Sequence, residues 1–304
     1  MANRRGFTLA EIMIAMTLML IVSGAAFKLL VTTQRLSRSQ AEQASLQSNV
    51  RMGSLVVLND LRELNTVFGG AADRNDILTI AANDITYRAM RGIGFICQAP
   101  TATQIRITRS SFSGFRDPVA GRDGLYVFID GDPDTEADDT WLPVAIAGVA
   151  TGTACPGALG DITLTTPNTA ALVTPPAIPV GTPVHIYEVM ELKLHVADGK
   201  SWLGARSISA GEAIQPVLGP LVDGNGFQLE YLDAAGAITA DRTAIKSIRV
   251  TIRGISDGAV NPGVEGILTH VQDSLVTQVA LRTRSGRNWN AAQGECYANP
   301  TTER

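Results

Sequence analysis

The sequence predicts an α+β protein: a long N-terminal α-helix, membrane-spanning in its first half and amphipathic in its second, packed on a β-rich C-terminal globular domain. Three observations predict it. Ile12 to Phe27 contains no charged residue. No proline occurs before Pro100, and apolar residues from Leu46 to Phe68 recur at helical spacing. From Ile77 onward, short alternating apolar runs are separated by Gly, Pro, Asn and Asp turn signals.

The first element is long enough to cross a bilayer. With Phe7–Ala10 and Leu29–Val31 the apolar stretch covers 25 positions, interrupted only by Glu11 and Lys28. A spanning helix needs about 20. Arg4 and Arg5 precede it, so the positive-inside bias leaves the N-terminus cytoplasmic and about 270 residues outside. Lys28 lies near the far end, where its stem can snorkel to the interface. Glu11 demands a reason. A carboxylate in hydrocarbon costs a few kcal/mol, and such groups persist when paired or neutralised.

An ordinary secretory signal also starts with basic residues and an apolar core, then offers a small-residue cleavage site. Ser23-Gly24-Ala25-Ala26 imitates one. The apolar stretch continues past it, however, and neither the Gly6-Phe7 junction before the core nor Glu11 within it suits such a signal. A simple uncleaved anchor is the other alternative.

The second half of the helix follows from Thr32 to Asn65. Leu46, Val50, Val57, Leu61, Leu64 and Phe68 form one apolar stripe, while Arg38, Glu42, Arg51, Asn59 and Arg62 occupy the other face. Gly69-Gly70 is the expected stop. Residues 7–66 then make a rod of about 90 Å at 1.5 Å per residue.

Beyond it, strands are expected at Ile77–Ala81, Ile85–Met90, Gln104–Thr108, Leu125–Ile129, Val184–His195, Ser201–Ile208, Phe227–Leu232, Ile245–Ile255 and Leu275–Thr283. Asp198-Gly199 and Asp223-Gly224-Asn225-Gly226 mark tight turns. Residues 147–181, rich in Pro, Thr, Gly and Ala, read as a loop or insertion. Seven of the 25 basic and four of the 29 acidic residues precede Thr66, leaving a net charge of −7 beyond it. Proteins that bind nucleic acid by neutralising phosphates show a basic footprint, so this balance argues against such a partner.

The run Arg4-Arg5-Gly6-Phe7-Thr8-Leu9-Ala10-Glu11 followed by the apolar helix resembles the class III signal of type IV pilins and of the pseudopilins of type II secretion. The resemblance implies that a prepilin peptidase cuts on the cytoplasmic face after Gly6 and methylates Phe7. It also implies that Glu11 meets the N-terminal amine of a neighbouring subunit and sets axial register. A second, looser resemblance lies in Gly226–Asp233, the Gly236 turn, Ile245–Ile255 and Val276–Arg282. This order is similar to the closing hairpin and final strand of J-type minor pseudopilins and W-type minor pilins. Each resemblance covers about a fifth of the chain. Many pilins carry a kinking proline in the distal part of the anchor; this chain has none, which favours a minor over a major subunit.

Cys97, Cys155 and Cys296 are the cysteines. Cys97 and Cys155 each read as lying in a loop, and the favoured disulfide joins them, with Cys296 left in a tail. Cysteine arithmetic does not fix connectivity, and three free thiols is the alternative. The acidic run from Asp130 to Asp139 offers Asp130, Asp132, Asp134 and Glu136 as oxygen ligands for a structural calcium, as some pseudopilins carry. It lacks glycine at its sixth position, and Asp139 and Thr140 do not supply a closing glutamate, so an acidic solvated hairpin tip is the plainer reading. No other cofactor is implied. His185, His195 and His270 show no metal-ligand spacing, and no serine sits in a nucleophile-elbow pattern. Gly199-Lys200-Ser201 lacks the earlier glycine of a P-loop, since Leu194 stands there. No enzyme is read.

The resulting organisation is a leader at 1–6, a transmembrane helix half at 7–31, an amphipathic half at 32–68, an extracytoplasmic domain at 69–288 and a flexible tail at 289–304. The chain reads as a minor pilin or pseudopilin of a type IV pilus or type II secretion pseudopilus, acting at the tip or in priming. Its implied partners are other pilins or pseudopilins, the prepilin peptidase, the inner-membrane assembly platform and, before assembly, membrane lipid. The alternatives are an adhesive or DNA-capturing minor pilin, and a membrane-anchored binding domain outside any filament.

Overall fold

The computed structural model describes residues 8–66, 75–130, 139–174, 177–260, 267–281, 287–290 and 295–298. One long helix leads into an antiparallel β domain. Helix α1 runs unbroken over Leu9–Arg62, 54 residues, or about 80 Å. Gly24 sits inside it with nothing around its α-carbon. Every residue from Thr8 to Leu30 is exposed, and the segment is long and apolar enough to cross a membrane by length and composition. The next 14 residues, 32–45, remain largely uncovered. The domain reaches the helix at Glu42, beside Gly258, and buries it from Leu46.

There the apolar stripe is buried as its spacing requires: Leu46, Val50, Val57, Leu61 and Leu64 are each 4% exposed or less. Phe68 and the Gly69-Gly70 stop lie outside the described residues. The helix ends earlier than that stop, at Arg62, with Glu63 as its C-cap. A tertiary contact ends it: the Asn65 N–H donates to the Asp76 carboxylate at 2.7 Å, and Asn65 O accepts from the Asp76 N–H at 3.1 Å.

The sheet is built around two long strands, β2 (Asp84–Thr101) and β9 (Pro183–Ala197). They pair antiparallel from Asp84↔Lys193 to Phe95↔Pro183, with a bulge between Met90 and Gly92. On the other side of β2 lie β1 (Ile77–Ala81), β3 (Gln104–Thr108) and the two-residue β4 (Ser113–Gly114). Beyond β9 the sheet divides. Towards one end it carries β5 (Asp123–Ile129) and β6 (Thr140–Ala145). Towards the other it continues into β10 (Lys200–Ser207) and β11 (Gln215–Leu221), then into the meander β12 (Phe227–Leu232), β13 (Ser247–Ile255) and β14 (Gln272–Ala280).

Two cores result. One lies between the α1 stripe and the sheet and includes Ile85, Tyr87, Leu203, Phe227, Ile248 and Val250. The other is enclosed by β2, β3, β5, β9 and the strand at Leu159–Thr165, and includes Ile96, Ile107, Leu125, Ile162 and Val184.

Two segments read as loop or tail carry strands. Residues 147–181 are not simply a loop: Gly148–Cys155 (β7) and Leu159–Thr165 (β8) form a hairpin that extends the sheet beyond β3. Ile162 and Leu164 face the second core at period two, which outweighs the turn-rich composition. At the start of the expected tail, Arg287–Asn290 (β15), which straddles its boundary, pairs with Glu295–Ala298 (β16).

Candidate functional site

The N-terminal turn of α1 is a capping box. Thr8 is the N-cap, and its Oγ accepts from the Glu11 N–H at 3.3 Å. The Thr8 N–H and hydroxyl both donate to Glu11 Oε2, each at 2.9 Å. Two of the helix's orphan amides are thereby satisfied. Glu11 is exposed along with the apolar residues around it, so nothing among the described residues shields the carboxylate. Arg4, Arg5, Gly6 and Phe7 lie outside the described residues. Thr8 was absent from the sequence-predicted site, although its Thr-x-x-Glu spacing is a local signature of a helix start.

The amphipathic half is seated closely on the sheet by two glycines that sequence reasoning also passed over. A Cβ on Gly53 of α1 would lie 2.0 Å from Leu218 Cδ2. One on Gly254 of β13 would lie 2.6 Å from Leu46 Cδ1 and 2.7 Å from Val50 Cγ2. Glycine inside a helix costs about 1 kcal/mol relative to alanine, so Gly53 in mid-stripe was the available signal of close approach.

A polar network fastens the helix end. Asp76, 4% exposed, accepts from the Asn65 N–H through Oδ2 and from the Tyr126 hydroxyl through Oδ1 at 2.8 Å. Arg88 Nη1 donates to Tyr126 Oη at 2.8 Å and to Asn75 O at 3.1 Å. The guanidinium lies 5.5 and 5.3 Å from the Tyr126 and Tyr187 ring centroids. Burial raises the Asp76 carboxyl to about 6, opposed by its hydrogen bonds and by Arg88. Within the last turn of the helix, Asp60 Oδ2 accepts from the Tyr87 hydroxyl at 2.8 Å. A neighbouring knot holds Glu188 between Arg91 (3.1 Å), Arg122 (2.6 Å) and Arg116 (3.4 Å), while Arg116 also clamps Asp123. Burial would raise the Glu188 carboxyl, but hydrogen bonds from Ser207, Arg122 and Arg91 hold it below the ordinary value.

The sulfurs of Cys97 and Cys155 are bonded, with Cα atoms 5.5 Å apart. Neither residue lies in a loop: Cys97 is inside β2 and Cys155 closes β7. The bond ties β2 to the far strand of the β3–β8–β7 extension. Asp161, held ionised by the Thr163 hydroxyl and the Ala154 N–H, pins the same hairpin end.

Of the acidic run, Asp130 is described and follows β5; Asp132, Asp134 and Glu136 lie outside the described residues. Among the described residues no group of three or more His, Cys, Asp or Glu is placed to hold a metal. The histidines are dispersed. His185 lies edge-on to Trp141 with ring centroids 4.8 Å apart, His195 pairs across the ladder with Trp202, and His270 Nδ1 lies 2.8 Å from Ser256 O.

A long, exposed apolar helix with an acid in its capped first turn, docked through its second half on an antiparallel sheet, defines a pilin-like α+β fold. Residues 1–27 match the model of the prokaryotic N-terminal methylation motif. The chain is also 29% identical over 77 residues to the pilin-like protein PilA3 of Thermus thermophilus, an alignment spanning 25% of this chain and 33% of that protein. No solved structure matches the chain. The chain thus has a pilin-like fold, carries the N-terminal methylation motif over its first residues, and is similar over a quarter of its length to a pilin-like protein of which it covers a third.

Proposed function

We infer that this chain is a minor pilin or pseudopilin. The peptidase cuts after Gly6 and methylates Phe7, and the subunit waits in the inner membrane with its β domain outside until the assembly platform extracts it into a filament with other pilins. The observation that carries this reading is Glu11, an exposed carboxylate in the first turn of a helix whose apolar first half finds no cover among the described residues. Both demands are met at once when neighbouring subunits bring helices and a new N-terminal amine alongside. The β domain is large for a repeated shaft subunit, which supports a tip or priming position where lateral crowding is relieved.

Intact mass and N-terminal sequencing of the membrane-extracted protein test the reading. A chain beginning at methylated Phe7, with Gly6→Val left at its full mass, is the expected result. A chain beginning at Met1, or cut near Ala26, removes the filament role.

A further inference from the structure

A cleft opens beside the bulge in β2. The cleft is open to solvent, has a volume of about 460 Å³, and so falls within the range of small-molecule sites. Met90, Arg91, Ile93, Phe115 and His185 line it, and Glu63 from the end of α1 stands at its rim. Its construction is specific. The β2–β9 register slips between Met90 and Gly92, so Arg91 is the extra residue. Such bulges re-aim a side chain beside functional sites. Opposite, β4 pairs Gly92 with Gly114 and Ile93 with Ser113. A Cβ on Gly114 would lie 2.8 Å from the Phe112 ring and 2.9 Å from Arg91 O, so only glycine allows this approach.

The chain then presents Phe115, whose N–H donates to Arg91 O at 3.3 Å. Its side chain is 84% exposed, the most exposed large apolar residue among those described. Held beside the cleft by that contact, the Phe115 ring offers a flat apolar face to a ligand. On the far wall, His185 meets Trp141, which in turn lies 5.3 Å from Phe128.

The chemistry narrows the ligand. Arg91, Arg116 and Arg122 are matched by three carboxylates, the nearly inaccessible Glu188 and Asp123 and the exposed Glu212. Glu63 adds a carboxylate to the rim. An anionic ligand therefore meets no uncompensated cation. A peptide strand finds only the two residues of β4 as a template. What fits is a neutral ring with one C–H face and hydroxyls at its edge. Phe115, Met90 and Ile93 take the C–H face, and Glu63, Arg91 and His185 offer acceptors and donors to the hydroxyls. We propose that this cleft is a binding site for a neutral saccharide. It stands independently of whether the chain enters a filament.

The test uses the full chain in a sugar-free zwitterionic detergent. It combines an array of neutral and acidic glycans with saturation-transfer NMR on the neutral disaccharides that bind. Binding of at least one neutral glycan is expected, with saturation concentrated on the C–H protons of one ring face. Phe115→Ala should weaken it at least tenfold with unchanged far-UV circular dichroism, and Phe115→Trp should restore it. Binding confined to acidic glycans, no binding to any neutral glycan, or equal binding by Phe115→Ala overturns the proposal.

Discussion

Asp76 offers the sharpest test of how the helix end is fastened. Its carboxyl is buried between Asn65, Tyr126 and Arg88, and burial raises it from 3.8 to about 6. That rise corresponds to about 3 kcal/mol. The sign follows from linkage. A carboxyl whose folded-state value is raised binds its proton more tightly in the fold, so its contribution is complete below about pH 3.8 and is lost as pH rises through about 6. Asp76→Asn removes the ionisation and keeps an oxygen that accepts one of the two hydrogen bonds. Any cost of the rearranged bonding is independent of pH. The difference in unfolding free energy, wild type minus Asp76→Asn, should therefore fall by about 2.4 kcal/mol between pH 4 and pH 7.5, the first part of the effect being already lost at pH 4. For a domain of this size that is about 5–10 °C in Tm. Urea titrations of both proteins across that range measure it, and subtraction cancels the acid response of the other carboxylates. A difference that stays flat with pH refutes a desolvated Asp76.

Two further changes probe the seating of the helix and the far sheet. Gly254→Ala forces a methyl against Leu46 and Val50 and should destabilise by about 1–3 kcal/mol; an unchanged denaturation midpoint would show that α1 does not lie this close to β13. Cys97→Ser with Cys155→Ser opens a link of sequence separation 58 and should cost about 4 kcal/mol on the chain-entropy model, read as a lowered midpoint that reductant no longer shifts.

Legibility in the sequence tracked the range of the interaction responsible. The α1 stripe from Leu46 to Leu64 was readable because each residue answers to its own helix at period 3.6. Strands β1, β3 and β12 were readable to the residue, being short alternating runs between turn signals. The early end of α1 was not, because it is imposed from outside by Asp76. The hairpin of β7 and β8 was hidden by its Thr, Gly and Pro content, with only Ile162 and Leu164 as an alternating signal. Cys97 looked loop-bound because Ile85–Met90 was read as the whole of a strand that runs on to Thr101. The network of Asp76, Arg88, Tyr126 and Tyr187 has no local pattern, since its members meet only once the sheet is assembled. The proposed processing site rests on the sequence, since Gly6 and Phe7 lie outside the described residues. Gly6, Phe7 and Glu11 belong to a linear motif, and Thr8 completed a capping box already written at spacing three.

That capping box changes what Glu11 is expected to do. Both Thr8 donors converge on one oxygen, Oε2, and Oε1 accepts no hydrogen bond among the described residues. One carboxylate therefore has room for two tasks, closing its own helix through Oε2 and meeting a neighbour's amine through Oε1. The tasks separate chemically. A cap needs only an acceptor and is worth about 1 kcal/mol; neutralising an amine in an apolar setting needs the charge. Glu11→Gln keeps an amide oxygen for Thr8 and removes the charge. It should be cleaved normally and keep its helicity, yet drop out of sheared filaments as fully as Glu11→Ala. Incorporation of Glu11→Gln at wild-type levels, with Glu11→Ala still excluded, would show that the cap, and not the ion pair, is what assembly requires of this residue.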